Sequence, residues 1–229
     1  MERMEVTNPR YEHQGIHVIV SIFTVDKGKL KVLLIKRKNS PYKDMWALTG
    51  GALYNDEDLL DGLNREMKEK TGLENIEVKF SQVFGKKDRS PVMRMVAITY
   101  IGMIDATKVE IAKETLKTSN AAWYSIDEIP KLAYDHNEII EEAIKNLKKE
   151  IGNTNLLKVF FPTGFTLPEL QTVYENILGK KLDRRNFRKK LLSSNLIYAT
   201  EEEIIFAGKK KAKIYKFKES QENKNIFRS

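Results

Sequence analysis

Two runs rich in Val, Ile and Leu open the chain, HVIVSIFTV at 17–25 and LKVLLI at 30–35, and Asp26-Lys27-Gly28-Lys29 separates them. Such runs flanking a glycine turn predict a strand hairpin. NSPYKDMWALTGG then reads as a loop and a short strand. From 55 to 70 the spacing turns helical, with Leu59, Leu60, Leu63 and Met67 on one face, and Thr71-Gly72 is the expected stop. IEVKFSQVFG, VMRMVAITYIGMI and AAWYSIDEIP predict further strands. An amphipathic helix follows over 137–151, with Ile140, Ala143, Ile144 and Leu147 apolar. A helix embedded among strands makes this part mixed α and β.

The pattern changes after a connector at 152–165. Thr166 and Glu169 form a capping-box pair opening LPELQTVYENIL, with Pro168 tolerated in the first turn. Gly179 ends that helix and Asp183 caps the next, RRNFRKKLLSSN, so two short helices joined by GKKL predict a helix-turn-helix. LIYAT, IIFAG and KIYKF read as strands around an EEE turn and a basic KKK turn. That order is what a winged helix requires. The tail 219–229 is polar and expected to fray. The predicted domains are 1–152 and 153–229.

Charge separates the same two parts. Of a net +8, residues 150–229 carry +7, from 16 Lys and Arg against nine Asp and Glu. Polyanion binding is therefore expected of the second domain. The chain has no cysteine, which excludes disulfides and thiolate metal sites, and its histidines, His13, His17 and His136, are scattered. Its apolar runs are far shorter than the roughly 20 residues a bilayer needs, so no spanning segment is expected. The absence of cysteine fits a reducing cytosol, and a cytoplasmic protein without membrane contact is the expectation.

Two stretches carry candidate chemistry. On the 55–70 helix, Glu66, Glu69 and position 70 share a face. Glu66 and Glu69, helped by a carbonyl of the Gly50-Gly51 loop, would suit Mg²⁺ bridging to a diphosphate; an exposed helix with ordinary charge pairs is the competing reading. In DRRNFRKK, Phe187 and Leu191 face inward. Arg184, Arg185, Asn186, Arg188, Lys189 and Lys190 are then candidates for base edges and phosphates, and Lys209, Lys210 and Lys211 for a wing on the DNA backbone.

The spacing of Gly51, Glu57, Arg65-Glu66-Met67, Glu69 and Gly72-Leu73 resembles the Nudix box, with WALTGG as its usual entry. The resemblance implies an α/β/α sandwich around a mixed sheet, Glu57 and Arg65 as a supporting pair, and metal held by the carboxylates. The consensus has glutamate where this chain has Lys70. An ammonium repels a cation, so efficient hydrolysis is not expected and no cofactor is required; Mg²⁺ belongs only to a residual hydrolase. Lys70 is instead a candidate for a ligand phosphate.

KLAYDHNEII, FTLPELQTVYENILGKKLDRRNFRKKLL and KKKAKIYKF resemble the NrtR-type Nudix-related regulators. The resemblance spans almost the whole chain. It implies a homodimer whose weakened Nudix domain binds an effector, commonly ADP-ribose and in some relatives a sugar, and whose winged helix binds a palindromic operator. His136 falls at a family-like position, although a packed histidine is its simpler reading. The family's RDPR loop falls at RSPV, retaining Arg89 and Pro91 but carrying Ser90 and Val92, so another phosphorylated metabolite competes with ADP-ribose. Arg89, Arg94, Lys70 and His136 are the effector-binding candidates. The alternative is a Nudix hydrolase of ADP-ribose or a nucleotide sugar with a basic accessory domain.

Overall fold

The computed structural model describes residues 13–151, 154–206 and 210–218. Its elements are β1 (Gln14–Asp26), β2 (Lys29–Arg37), β3 (Trp46–Ala47), β4 (Thr49–Ala52), α1 (Leu59–Thr71), β5 (Val78–Phe84), β6 (Arg94–Met103) and β7 (Thr118–Ser125). They continue as α2 (His136–Glu150), α3 (Thr154–Lys158), α4 (Leu167–Leu178), α5 (Arg184–Ser193), β8 (Ile197–Phe206) and β9 (Lys210–Phe217).

β1 is the spine of a seven-stranded mixed sheet. It runs parallel to β6 from Gln14↔Arg94 to Phe23↔Met103, and antiparallel to β4 and β2 on its other side. β7 extends the sheet beyond β2, and β5 beyond β6. Successive side chains on a strand face opposite ways. Val18, Val20 and Ile22 therefore pack with Leu63 and Met67 of α1, while Ile19 and Phe23 pack with Ile139, Ile140, Ala143 and Leu147 of α2. Coverage on both faces is why the run reads as continuously apolar rather than alternating. The result is the expected α/β/α sandwich.

Three local expectations change. The helix starts at Leu59 rather than 55, because the Glu57 carboxylate accepts the Tyr54 N–H (3.0 Å) and holds the preceding residues as a loop. Leu60 is 51% exposed, and the buried face of α1 instead carries Leu63, Glu66, Met67 and Lys70. The EEE stretch is not a turn: β8 is one strand, irregular in register between Ala199 and Glu203, and Glu201, Glu202 and Glu203 are exposed. Thr200 Oγ1 donates to the Ile214 carbonyl (3.0 Å) and holds the ribbon across the irregularity. The expected frayed tail, 219–229, lies outside the described residues.

The second half forms the predicted winged helix. Both halves of the capping box open α4: the Glu169 N–H donates to Thr166 Oγ1 (3.4 Å), and the Thr166 N–H to Glu169 Oε2 (2.7 Å). Gly179, in the left-handed region at φ 68°, closes the helix through its N–H to the Glu175 carbonyl. Asp183 Oδ1 accepts the Asn186 N–H (2.9 Å) at the start of α5. The connector packs rather than crossing open solvent. One apolar cluster runs from Leu147 and Ile151 through Leu156, Leu157 and Phe165 to Leu170, Tyr174, Phe187, Leu191 and Tyr215. Phe165 also pairs with Tyr215 by backbone bonds in both directions, at 2.9 and 2.8 Å. Removing the Thr166 cap by Thr166→Ala should lower unfolding free energy by about 1 kcal/mol in urea denaturation.

Candidate functional site

β4 and α1 build the box. At Gly50 (φ 155°) a Cβ would lie 2.2 Å from the Val18 carbonyl oxygen, and at Gly51 it would lie 2.3 Å from the Glu66 carboxyl carbon. A side chain at Gly50 would strike β1, and one at Gly51 would strike the Glu66 carboxylate of α1, so only glycines fit here. Arg65 forks onto Glu57, with Nη2 2.9 Å from Oε2, and also donates to Glu66 Oε1 (2.6 Å) and the Ala52 carbonyl (3.0 Å). Its guanidinium sits over the Tyr54 ring, 3.9 Å from the centroid.

The Lys70 ammonium points inward. It donates to the Gly50 carbonyl and lies 2.8 Å from Glu66 Oε2, with 9% of its side chain exposed and 5% of Glu66. Lys117, which no sequence pattern singled out, completes the cluster at 2.5 Å from Glu69 Oε2 and 3.6 Å from Glu66 Oε1. Burial raises the Glu66 carboxyl, but Lys70 and Arg65 outweigh it and the net shift is downward. Burial likewise pulls Lys70 down, opposed by Glu66. A Mg²⁺ ion, as the box implies, needs free carboxylate oxygens. These carboxylates, with Arg65, Lys70 and Lys117 upon them, do not fit one. The loop carbonyl facing this point is that of Gly50, whereas Gly51 contributes by lacking a side chain.

The other effector candidates separate. The Arg89 side chain is fully buried and bonds bidentately to Asp135, at 2.9 and 2.7 Å, with Nη1 3.3 Å from His17 Nδ1. His136 Nδ1 accepts the Leu48 N–H (3.0 Å) and lies within the core. Both stand behind the site as supports rather than on a face open to a ligand. Arg94 binds the Lys86 carbonyl (2.9 Å) at the base of the turn that carries Arg89. The sequence also did not single out Tyr134, Tyr42 and Arg37. Tyr134 stacks on His136 (5.4 Å between centroids), meets Tyr42 edge-on (4.7 Å) and has the Arg37 guanidinium 5.2 Å from its ring centroid. Tyr134 falls within the AYDH stretch, which was the available signal; Lys117 and Arg37 come together only because Arg37 pairs with Thr118 across β2 and β7.

On α5, Phe187 and Leu191 are buried, while Arg184, Arg185, Asn186, Arg188, Lys189 and Lys190 are exposed. Tyr174 of α4 holds Phe187 edge-on at 5.5 Å. This leaves a basic face outward on a helix fixed by its opposite side. Lys211 is exposed on the wing, 3.7 Å from Glu203. Lys210 begins β9, and Lys209 lies outside the described residues.

The fold and both sites define a Nudix domain joined to a winged helix. Residues 15–147 match the NUDIX domain and residues 158–217 match the NrtR DNA-binding winged helix domain. The chain is 33% identical over 204 residues to the ADPR responsive transcriptional repressor NtrR of Acinetobacter baylyi, covering 87% of this chain and 80% of that protein. The crystal structure of Shewanella oneidensis NrtR complexed with a 27mer DNA superposes with a TM-score of 0.74 at 28% identity, over 89% of this chain and 93% of that one. The NUDIX domain of the same protein complexed with ADP ribose gives 0.55 at 26%, over 62% and 94%. This chain belongs to the NrtR family of Nudix-related regulators. Among the described residues, no helix is long and apolar enough to cross a membrane.

The half-buried His17 and the buried His136 set a pH dependence. His17 is lowered to about 4 by burial and then by Arg89 and Lys70, and His136 falls well below 6.5, chiefly by burial. Both accept hydrogen bonds at Nδ1 and are held neutral. A folded pKa below the unfolded one means that the unfolded chain binds protons first. Stability should therefore be full above about pH 6.5 and fall as pH drops toward 4, by up to ~3 kcal/mol from His17 at about 1.4 kcal/mol per unit. Urea titrations across that range check this, and His17→Asn should flatten the slope.

Proposed function

We propose that this chain is a homodimeric, cytoplasmic, effector-responsive transcriptional regulator. On this reading its Nudix domain binds ADP-ribose or a related phosphorylated metabolite, and its winged helix binds a palindromic operator. The observation that carries the reading is the exposed basic face of α5 on a winged helix sharing one apolar cluster with a Nudix domain whose carboxylates are occupied by internal cations. The DNA-bound and ADP-ribose-bound structures of Shewanella oneidensis NrtR support both halves of it. A site whose carboxylates are neutralised holds its ligand without hydrolysing it.

The coupling runs along α2. Its first residue, His136, is tied to Leu48 beside the Gly50 loop, and Leu147 near its other end packs in the cluster that holds α4. A ligand that favours one setting of the loop biases α2 and, through it, the recognition helices. Binding then favours an arrangement that no longer matches the half-site spacing.

A duplex selected by the protein from a random pool supplies the probe for fluorescence anisotropy. ADP-ribose should weaken binding by about tenfold, or 1.4 kcal/mol. Arg184→Ala with Arg188→Ala should weaken it with or without ligand and reduce the salt slope by roughly 0.9 per lost phosphate contact. Rapid release of AMP from ADP-ribose in Mg²⁺ would favour the hydrolase reading instead.

A further inference from the structure

We infer that Lys70, with Lys117 and Arg37, makes the Nudix site a metal-independent receptor for the phosphates of a diphosphate ligand. The inference rests on the regulatory reading and deepens it. The Lys70 ammonium contacts a loop carbonyl and a carboxylate, those of Gly50 and Glu66, which are the kinds of oxygen a divalent ion takes. It is held there by burial and by the glycine-only turn at Gly50. The cation is therefore built into the chain and arrives with the fold.

Charge decides what such a site attracts. Arg65, Lys70 and Lys117 balance Glu57, Glu66 and Glu69, three cations against three carboxylates, and Arg37, near enough to repel the Lys70 ammonium, adds one net positive charge beside them. A glutamate at position 70 would leave one net negative charge, and a diphosphate would then need a metal to neutralise it first. Lys117 supplies the accessible end of the cluster, with 36% of its side chain exposed. Arg37 is steadied by donating Nε–H to the Pro41 carbonyl (3.1 Å) and by the Tyr134 ring. A phosphate entering beside Lys117 and Arg37 competes with Glu69 for Lys117 and adds a counter-charge to Lys70. The effector would thus be sensed at any divalent-ion level and left intact.

Calorimetry on the full chain tests this with ADP-ribose and, separately, with inorganic pyrophosphate, each in EDTA and in Mg²⁺. For the unmodified chain, ADP-ribose affinity should agree between the two conditions within about twofold, and pyrophosphate should bind in EDTA. Lys70→Glu should lose at least about tenfold in EDTA, regain affinity on adding Mg²⁺, and bind Mn²⁺ by electron paramagnetic resonance where the unmodified chain does not. Lys70→Gln should lose affinity without rescue by metal. A metal requirement in the unmodified chain would overturn the inference, as would Mn²⁺ at its box, unchanged EDTA affinity in Lys70→Glu, or no binding of either ligand. Release of the selected DNA by a different metabolite would then leave the regulatory reading standing. Metal-free ADP-ribose binding with no sequence-selective DNA binding would sink that reading and keep this one.

Discussion

A carboxylate as buried as Glu66 must be paired, and the first domain's site is organised around the pairing. Arg65, Lys70 and Lys117 all reach Glu66, and each is fixed by something else: Arg65 by Glu57, Lys70 by the Gly50 carbonyl, Lys117 by Glu69. Removing one partner of such a buried group costs far more than an exposed pair would, because the remaining charge is left without compensation. The box keeps its shape although its donor set no longer fits a divalent ion. Shape and chemistry have separated at one residue.

The second constraint is the apolar cluster that joins the domains. A winged helix on a flexible tether would report little about its neighbour. Here Leu147 and Ile151 at the end of α2, Leu156 and Leu157 of α3, and Leu170 and Tyr174 of α4 lie in one packed cluster. Close-packed interiors transmit displacement because they have few voids to absorb it. Arg89 and His136 belong to this account as supports: one anchors Asp135 at the start of α2, and the other anchors Leu48 beside the box.

How much the sequence revealed follows from how local each signal is. The box, the capping pair Thr166 and Glu169, the Asp183 cap and the inward Phe187 and Leu191 depend on spacings of a few residues, and the structure carries all of them. The inward turn of Lys70 is also a helix-spacing matter, but its bond to Gly50 needs β4 beneath α1. Lys117 and Arg37 are brought to one site only through the pairing of β2 with β7, where Arg37 lies opposite Thr118, which no local pattern encodes. Arg89 reads from the sequence as an effector contact because Asp135, its partner, is 46 residues away and no local pattern pairs them. The glutamates of β8 suggested a turn because charge clusters usually mark loops; a two-stranded wing is open enough to hold them within a strand.

The central claim is that ligand at the cation-filled Nudix site resets the spacing of paired recognition helices. The chain has no cysteine, so Ser193→Cys at the end of α5 gives one spin label per protomer. Pulsed electron resonance between the two labels of the proposed homodimer, with and without ADP-ribose, reads that spacing directly. A shifted distance distribution that saturates with ligand is the predicted result. An unchanged distribution under saturating ligand, in a dimer whose DNA affinity nevertheless falls, would contradict the account.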